Sequence, residues 1–147
     1  NTSMWGILVA LLSGALMSVQ GVFNKELTKQ TSLWVSTGWV QISAFLICVC
    51  AWLFTGREEA GALLRVDHKY LLLGGVIGAF ITVTVIQSMS SLGPARAAML
   101  IVVAQLAVAY VIELLGLFGV EKVDFEWRRL IGMAVAIVGI IIFKWEK

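Results

Sequence analysis

Polar and apolar positions along the chain do not alternate; they fall in blocks. No side-chain charge occurs from Asn1 to Asn24, and none between Lys29 and Arg57. A third charge-free stretch runs from Tyr70 to Ala95, and a fourth apolar run, 95–118, carries one acid, Glu113, near its far end. The last run is uncharged only from Leu130 to Phe143, but Arg128, Arg129 and Lys144 at its ends can turn their heads outward. A membrane helix needs roughly 20 mostly apolar residues. The pattern therefore predicts five crossing helices over 4–23, 34–54, 70–90, 95–118 and 127–145. They are helices because no closed barrel fits five runs of this length.

Composition agrees. Hydrophobic types make up 60% of the 147 residues and charged types 14%, which excludes a soluble domain of ordinary make-up and a disordered chain alike. Trp5, Trp34, Trp52, Trp127 and Trp145 fall near predicted span ends, where an indole sits well between headgroups and hydrocarbon; Trp39 lies deeper and is expected to pack or to line something. The first run reads as a retained helix, since a signal peptide would want a basic leader and a shorter apolar core. Gly93–Pro94 after Ser90–Ser91 marks a tight turn joining the third and fourth spans as a hairpin. Close helix packing is expected at Gly74-x-x-x-Gly78, Gly14-x-x-x-Ser18 and along Gly132-x6-Gly139. Cys48 and Cys50, two apart, point to nearly opposite sides of a helix and read as small apolar packing residues. His68, in the one sizeable loop, reads as solvated.

Charge changes the picture in one respect. With five spans, one side holds six basic residues (Arg57, Arg65, Lys69, Lys122, Arg128, Arg129) and the other five (Lys25, Lys29, Arg96, Lys144, Lys147). Orientation in a membrane follows a Lys/Arg excess, and here it nearly vanishes, so the chain is expected to insert both ways up. With a net charge of +2 and scattered basic residues there is no nucleic-acid footprint.

The chemistry lies in the polar residues inside the spans, which either glue helices or mark a pathway. They are Gln20 and Asn24, four apart on one face of the first helix, with Gln41, Gln87, Gln105 and Glu113. For Glu113, about 27 Å along its helix at 1.5 Å per residue, two readings stand: it snorkels to the interface, or it faces the protein.

The segments GALMSVQGVFNKEL (14–27), LGGVIGAF (73–80), LGPARAAMLIVVAQL (92–106), ELLGLFG (113–119) and RLIGMAVAIVGIII (129–142) occur in that order. On these the chain resembles the drug/metabolite transporter superfamily, in particular its short five-helix branch of YdcZ-like proteins. The resemblance implies an all-α integral membrane protein of the bacterial inner membrane, half of a ten-helix inverted-repeat architecture. It departs from the small multidrug exporters of the superfamily, whose first helix carries a glutamate; here the first span has no acidic residue, and Gln20 is its most polar deep position.

The expected function is secondary transport of a small solute by an antiparallel pair of identical chains or a homologous inverted chain. Gln20, Asn24, Gln41, Gln87, Gln105 and Glu113 would contact the solute, and Gly132 and Gly139 would pack the pair. No phosphate loop is present, so no ATP is hydrolysed by the chain itself, and no cofactor or metal is expected. A channel between inverted copies and a non-transporting scaffold are the alternatives. An enzyme is disfavoured because no nucleophile–base pair can be assembled.

Overall fold

The computed structural model describes residues 2–144; the side chain of Lys144, Trp145 and the Lys147 charge lie outside the described part. It contains five α-helices: α1 Thr2–Gln30, α2 Leu33–Phe54, α3 Gly74–Leu92, α4 Pro94–Leu115 and α5 Trp127–Lys144, with short 3-10 turns between some of them and no strand among the described residues. The chain divides into two compact units, one up to Ser91 with α1–α3 and one from Leu92 on with α4 and α5.

Four segments are long and apolar enough to cross a membrane: Ser3–Gln30, Leu33–Phe54, Lys69–Leu92 and Pro94–Leu115. Helix α5 is 18 residues long, and its three terminal cations keep it outside that group.

Helix ends differ from the charge-free runs for local reasons. Helix α1 continues seven residues past the predicted stop at Phe23, because a charge ends a hydrocarbon run without ending a helix. Its last turns carry Lys25, Glu26 and Lys29, with Glu26 and Lys29 paired at 3.3 Å and Lys29 at the terminus where the helix dipole favours a cation. Two residues then suffice to turn the chain. The Thr31 hydroxyl donates to Leu27 O at 2.8 Å, and Ser32 caps α2 by accepting the Val35 N–H at 3.3 Å, so α1 and α2 form an antiparallel hairpin.

Helix α3 begins at Gly74, four residues later than predicted, after a 3-10 turn over Lys69–Leu73. Gly93, with φ +87°, and Pro94 at the first helical position make the predicted break between α3 and α4. Helix α4 stops at Leu115 rather than Phe118, because Gly116 turns left-handed (φ +65°) and its N–H returns to Ile112 O.

The surface is inverted relative to a water-soluble fold. Large apolar side chains such as Ile47, Phe54, Leu64 and Ile142 lie outside, whereas Asn24, Ser36 and Thr37 are buried with Val83, Ile86 and Met89. That distribution suits a lipid exterior, where polar groups gain by turning toward protein.

Close packing in the first unit falls on Gly21. A Cβ there would lie 2.5 Å from Met89 Cε and 2.6 Å from its Sδ, so α1 and α3 touch here, and any side chain at 21 has to displace the flexible end of that methionine. The expected stripes are open instead: nothing lies within 4 Å of a Cβ built at Gly14, Gly74, Gly78, Gly132 or Gly139. Spacing alone offers small residues on a face without saying which face meets a neighbour. Trp39, Cys48 and Cys50 are exposed too, so they face outward rather than pack. His68 is an exposed loop residue stacked on Tyr70, with ring centroids 5.4 Å apart.

Candidate functional site

The polar side chains of α1–α3 meet in a chain of neutral contacts. Gln41, half-buried on α2, donates from Nε2 to Thr82 Oγ1 at 3.0 Å, and Thr82 donates in turn to Gly78 O at 3.0 Å. At the α1–α2 hairpin, the Thr28 and Ser36 hydroxyls touch each other while Thr28 also faces Asn24 O at 2.8 Å and Ser36 faces Leu33 O at 3.1 Å. Two hydroxyl protons thus serve three contacts. Asn24, buried, borders an open groove of about 550 Å³ along one face of α1, lined by Gln20 and by apolar residues including Leu12, Leu16, Met17 and Phe23.

The second unit holds its charges at one end. Glu113 on α4 and Arg129 on α5 approach to 3.5 Å, each 44% exposed, and Arg129 Nε lies 3.6 Å from Glu126. The guanidinium also stands over the buried Tyr110 ring, 5.9 Å from its centroid, within cation–π range. Tyr110 Oη accepts the Glu126 N–H at 3.2 Å, and Val123 N–H donates to Glu113 O at 2.9 Å, which ties the connecting segment to α4. Tyr110, Glu113 and Arg129 border a cavity of about 300 Å³ whose wall includes Ala109, Gly132 and Met133.

Placed on this framework, the residues read from the sequence separate. Gln20 and Asn24 share the α1 groove, and Gln41 joins α2 to α3. Gln87 and Gln105 are exposed on α3 and α4. Glu113 faces a cation of its own chain, and Arg129, expected to turn outward, closes on it. Sequence reading missed Thr28, Ser36, Thr37 and Tyr110; the available signal was hydroxyls clustered on either side of a two-residue turn. Among the described residues no three His, Cys, Asp or Glu side chains are grouped to hold a metal ion.

Residues 5–142 match the family model described as "Putative inner membrane exporter, YdcZ". The chain belongs to that family. It is a multi-pass inner membrane protein of the drug/metabolite transporter type, and the family supports a transport role. No curated protein and no solved structure matches the sequence.

Proposed function

We propose that this family member is a secondary transporter of a small solute, working by alternating access as an antiparallel pair of identical five-span chains. The observation that carries the reading is the exposure of the Gln20, Gln87 and Gln105 amides on helices whose outer faces are mostly apolar. A bare amide in hydrocarbon costs on the order of several kcal/mol, so these three favour a protein or aqueous surface opposite them. A second copy supplies that surface, and the six-to-five charge count permits it to be inverted.

Five spans leave each chain with different surfaces on its two sides, so an inverted partner restores the two-fold relation that alternating access needs. The open faces at Gly132 and Gly139 on α5 are where the partner's helix would approach closely. The solute would be contacted by Gln20, Asn24, Gln41, Gln87 and Gln105, with Glu113 beside Arg129 as the charged element. The family's description as an exporter supports an outward direction for that transport.

The test is labelling of single cysteines at both termini in intact cells, in a background lacking Cys48 and Cys50. The proposal expects each terminus to be labelled on both sides of the membrane, in comparable fractions. A single orientation in every copy sinks the homodimer, and termini fixed on one and the same side show four spans rather than five.

A further inference from the structure

One buried hydroxyl in the first unit departs from all its kind. Of the threonines whose side chains are described, Thr28, Thr31, Thr55, Thr82 and Thr84 each donate to the carbonyl four residues back. Thr37 does not. It lies inside α2, is 3% exposed, and its Oγ1 has no hydrogen-bond partner. The carbonyl four residues back, Leu33 O, already accepts the Ser36 hydroxyl at 3.1 Å, and the Thr37 hydroxyl is left without the bond that every other described threonine makes. Leaving a buried polar group unpaired forfeits its hydration with nothing in return. Buried polar groups are nearly always paired, so an orphan marks a place where a partner belongs.

Its surroundings say what kind of partner. Thr37 and Gln41 are four apart on one face of α2, with Cβ atoms roughly 5–6 Å apart. Gln41 spends one amide N–H on Thr82, which leaves its other N–H as a donor and its carbonyl oxygen as an acceptor. The Thr28–Ser36 contact fixes the antiparallel register of the hairpin, and one turn further brings Asn24 level with Val40 and Gln41. All of these groups are neutral. The charges of the same stretch of α1 are occupied with one another, Lys25 and Lys29 both lying within 3.7 Å of Glu26. A charged solute would lose its hydration here without finding a counter-charge, whereas a hydroxyl, amide or carbonyl would be matched.

We propose that Thr37, with Gln41 and Asn24, is the contact for an uncharged hydrogen-bonding group of the carried solute. The proposal rests on the transporter reading and gives it a substrate class: a solute with an apolar body, suited to the aliphatic α1 groove, and a neutral polar end. The site lies near one end of the unit, since Thr37 is about 6 Å along α2 from its start at 1.5 Å per residue. In an antiparallel pair the two copies of the site would therefore open toward opposite sides of the membrane.

The experiment needs no flux, so its failure is separable from failure of the transporter reading. Thr37→Cys is placed in full-length protein carrying Cys48→Ala and Cys50→Ala, reconstituted in liposomes. It is treated with methanethiosulfonates bearing a neutral hydroxyethyl, a cationic trimethylammonium or an anionic sulfonate group. An exposed loop variant, Ala60→Cys, gives the reference rate for each reagent. The hydroxyethyl reagent is expected to label the Thr37→Cys thiol within about tenfold of its reference, and both charged reagents to lag by a further tenfold or more. Protection by more than about a thousandfold from all three shows a dry, closed core and overturns the proposal. Labelling led by a charged reagent overturns the substrate class. In parallel, Thr37→Val should leave the thermal midpoint unchanged or raised, because no protein partner is lost. A lowered midpoint shows a hydroxyl held by fixed structural water, and overturns the assignment as well.

Discussion

The two units solve the same problem with opposite chemistry. In the first, α1–α3 are joined by neutral groups, Gln41 to Thr82 and Thr28 to Ser36, and by the fit of Met89 against Gly21. In the second, α4 and α5 are joined where the chain leaves the apolar run, by Glu113, Arg129 and Glu126 around the Tyr110 ring. The division follows the solvent. Within hydrocarbon a neutral hydrogen bond costs little to desolvate, whereas a charge is tolerable where water and headgroups reach it.

Three measurements would break or sharpen that contrast. The largest effect is expected from Gly21→Leu, which forces a side chain into the space of Met89 and should cost about 1–3 kcal/mol by overpacking. Unfolding by titrated dodecyl sulfate, followed by helicity, would show it. Gly14→Leu, at an open face, should leave the midpoint in place, and adding Met89→Ala to Gly21→Leu should recover part of the loss. Equal losses at Gly14 and Gly21 would mean that the α1–α3 fit does not hold the first unit.

Next in size is the coupling between Glu113 and Arg129. A double-mutant cycle with Glu113→Gln and Arg129→Gln should give up to about 1 kcal/mol, since the pair is half-exposed. Raising salt to about 1 M, where the screening length falls to about 3 Å, should bring the coupling close to zero. A coupling indifferent to salt would place the pair away from water and remove the contrast with the first unit.

The smallest is Gln41 with Thr82, for which a cycle with Gln41→Leu and Thr82→Val should give about 0.6 kcal/mol, the usual size for a neutral contact between membrane helices. Unlike the ion pair, it should be the same at low and high salt. A salt-sensitive value would show that charge reaches into the first unit.

The helices were legible because hydrocarbon imposes a one-dimensional rule, and the runs free of charge obey it. Their ends were less so: α1 runs on through Lys25 and Lys29, which the backbone tolerates, and α4 stops at Gly116 for a reason that lies in one dihedral angle. The family was legible from five short segments in order, and the family model spans 5–142. Which polar residues turn inward was not legible. Gln41 and Asn24 are covered while Gln20, Gln87 and Gln105 are exposed, and nothing in residue type separates these groups. That choice depends on register between helices, set here by the two-residue turn at Thr31–Ser32 and by the Gly21 contact, neither of which has a periodic signature. The partner of Glu113 was hidden for the same reason, since Arg129 is sixteen positions away across an irregular segment.

The length of α1 bears on the lipid itself. At 1.5 Å per residue it is about 43 Å long, against a hydrocarbon layer of about 30 Å. A bilayer of that thickness leaves the last turns of α1 standing in the headgroups, with Lys25, Glu26 and Lys29 acting as a float that sets the height of Asn24 and the hairpin behind it. A thicker bilayer would draw the same turns inward and bury the α1–α2 turn in acyl chains. Membrane thickness then becomes a control on how readily water reaches one end of the first unit, exerted by lipid composition and without any ligand.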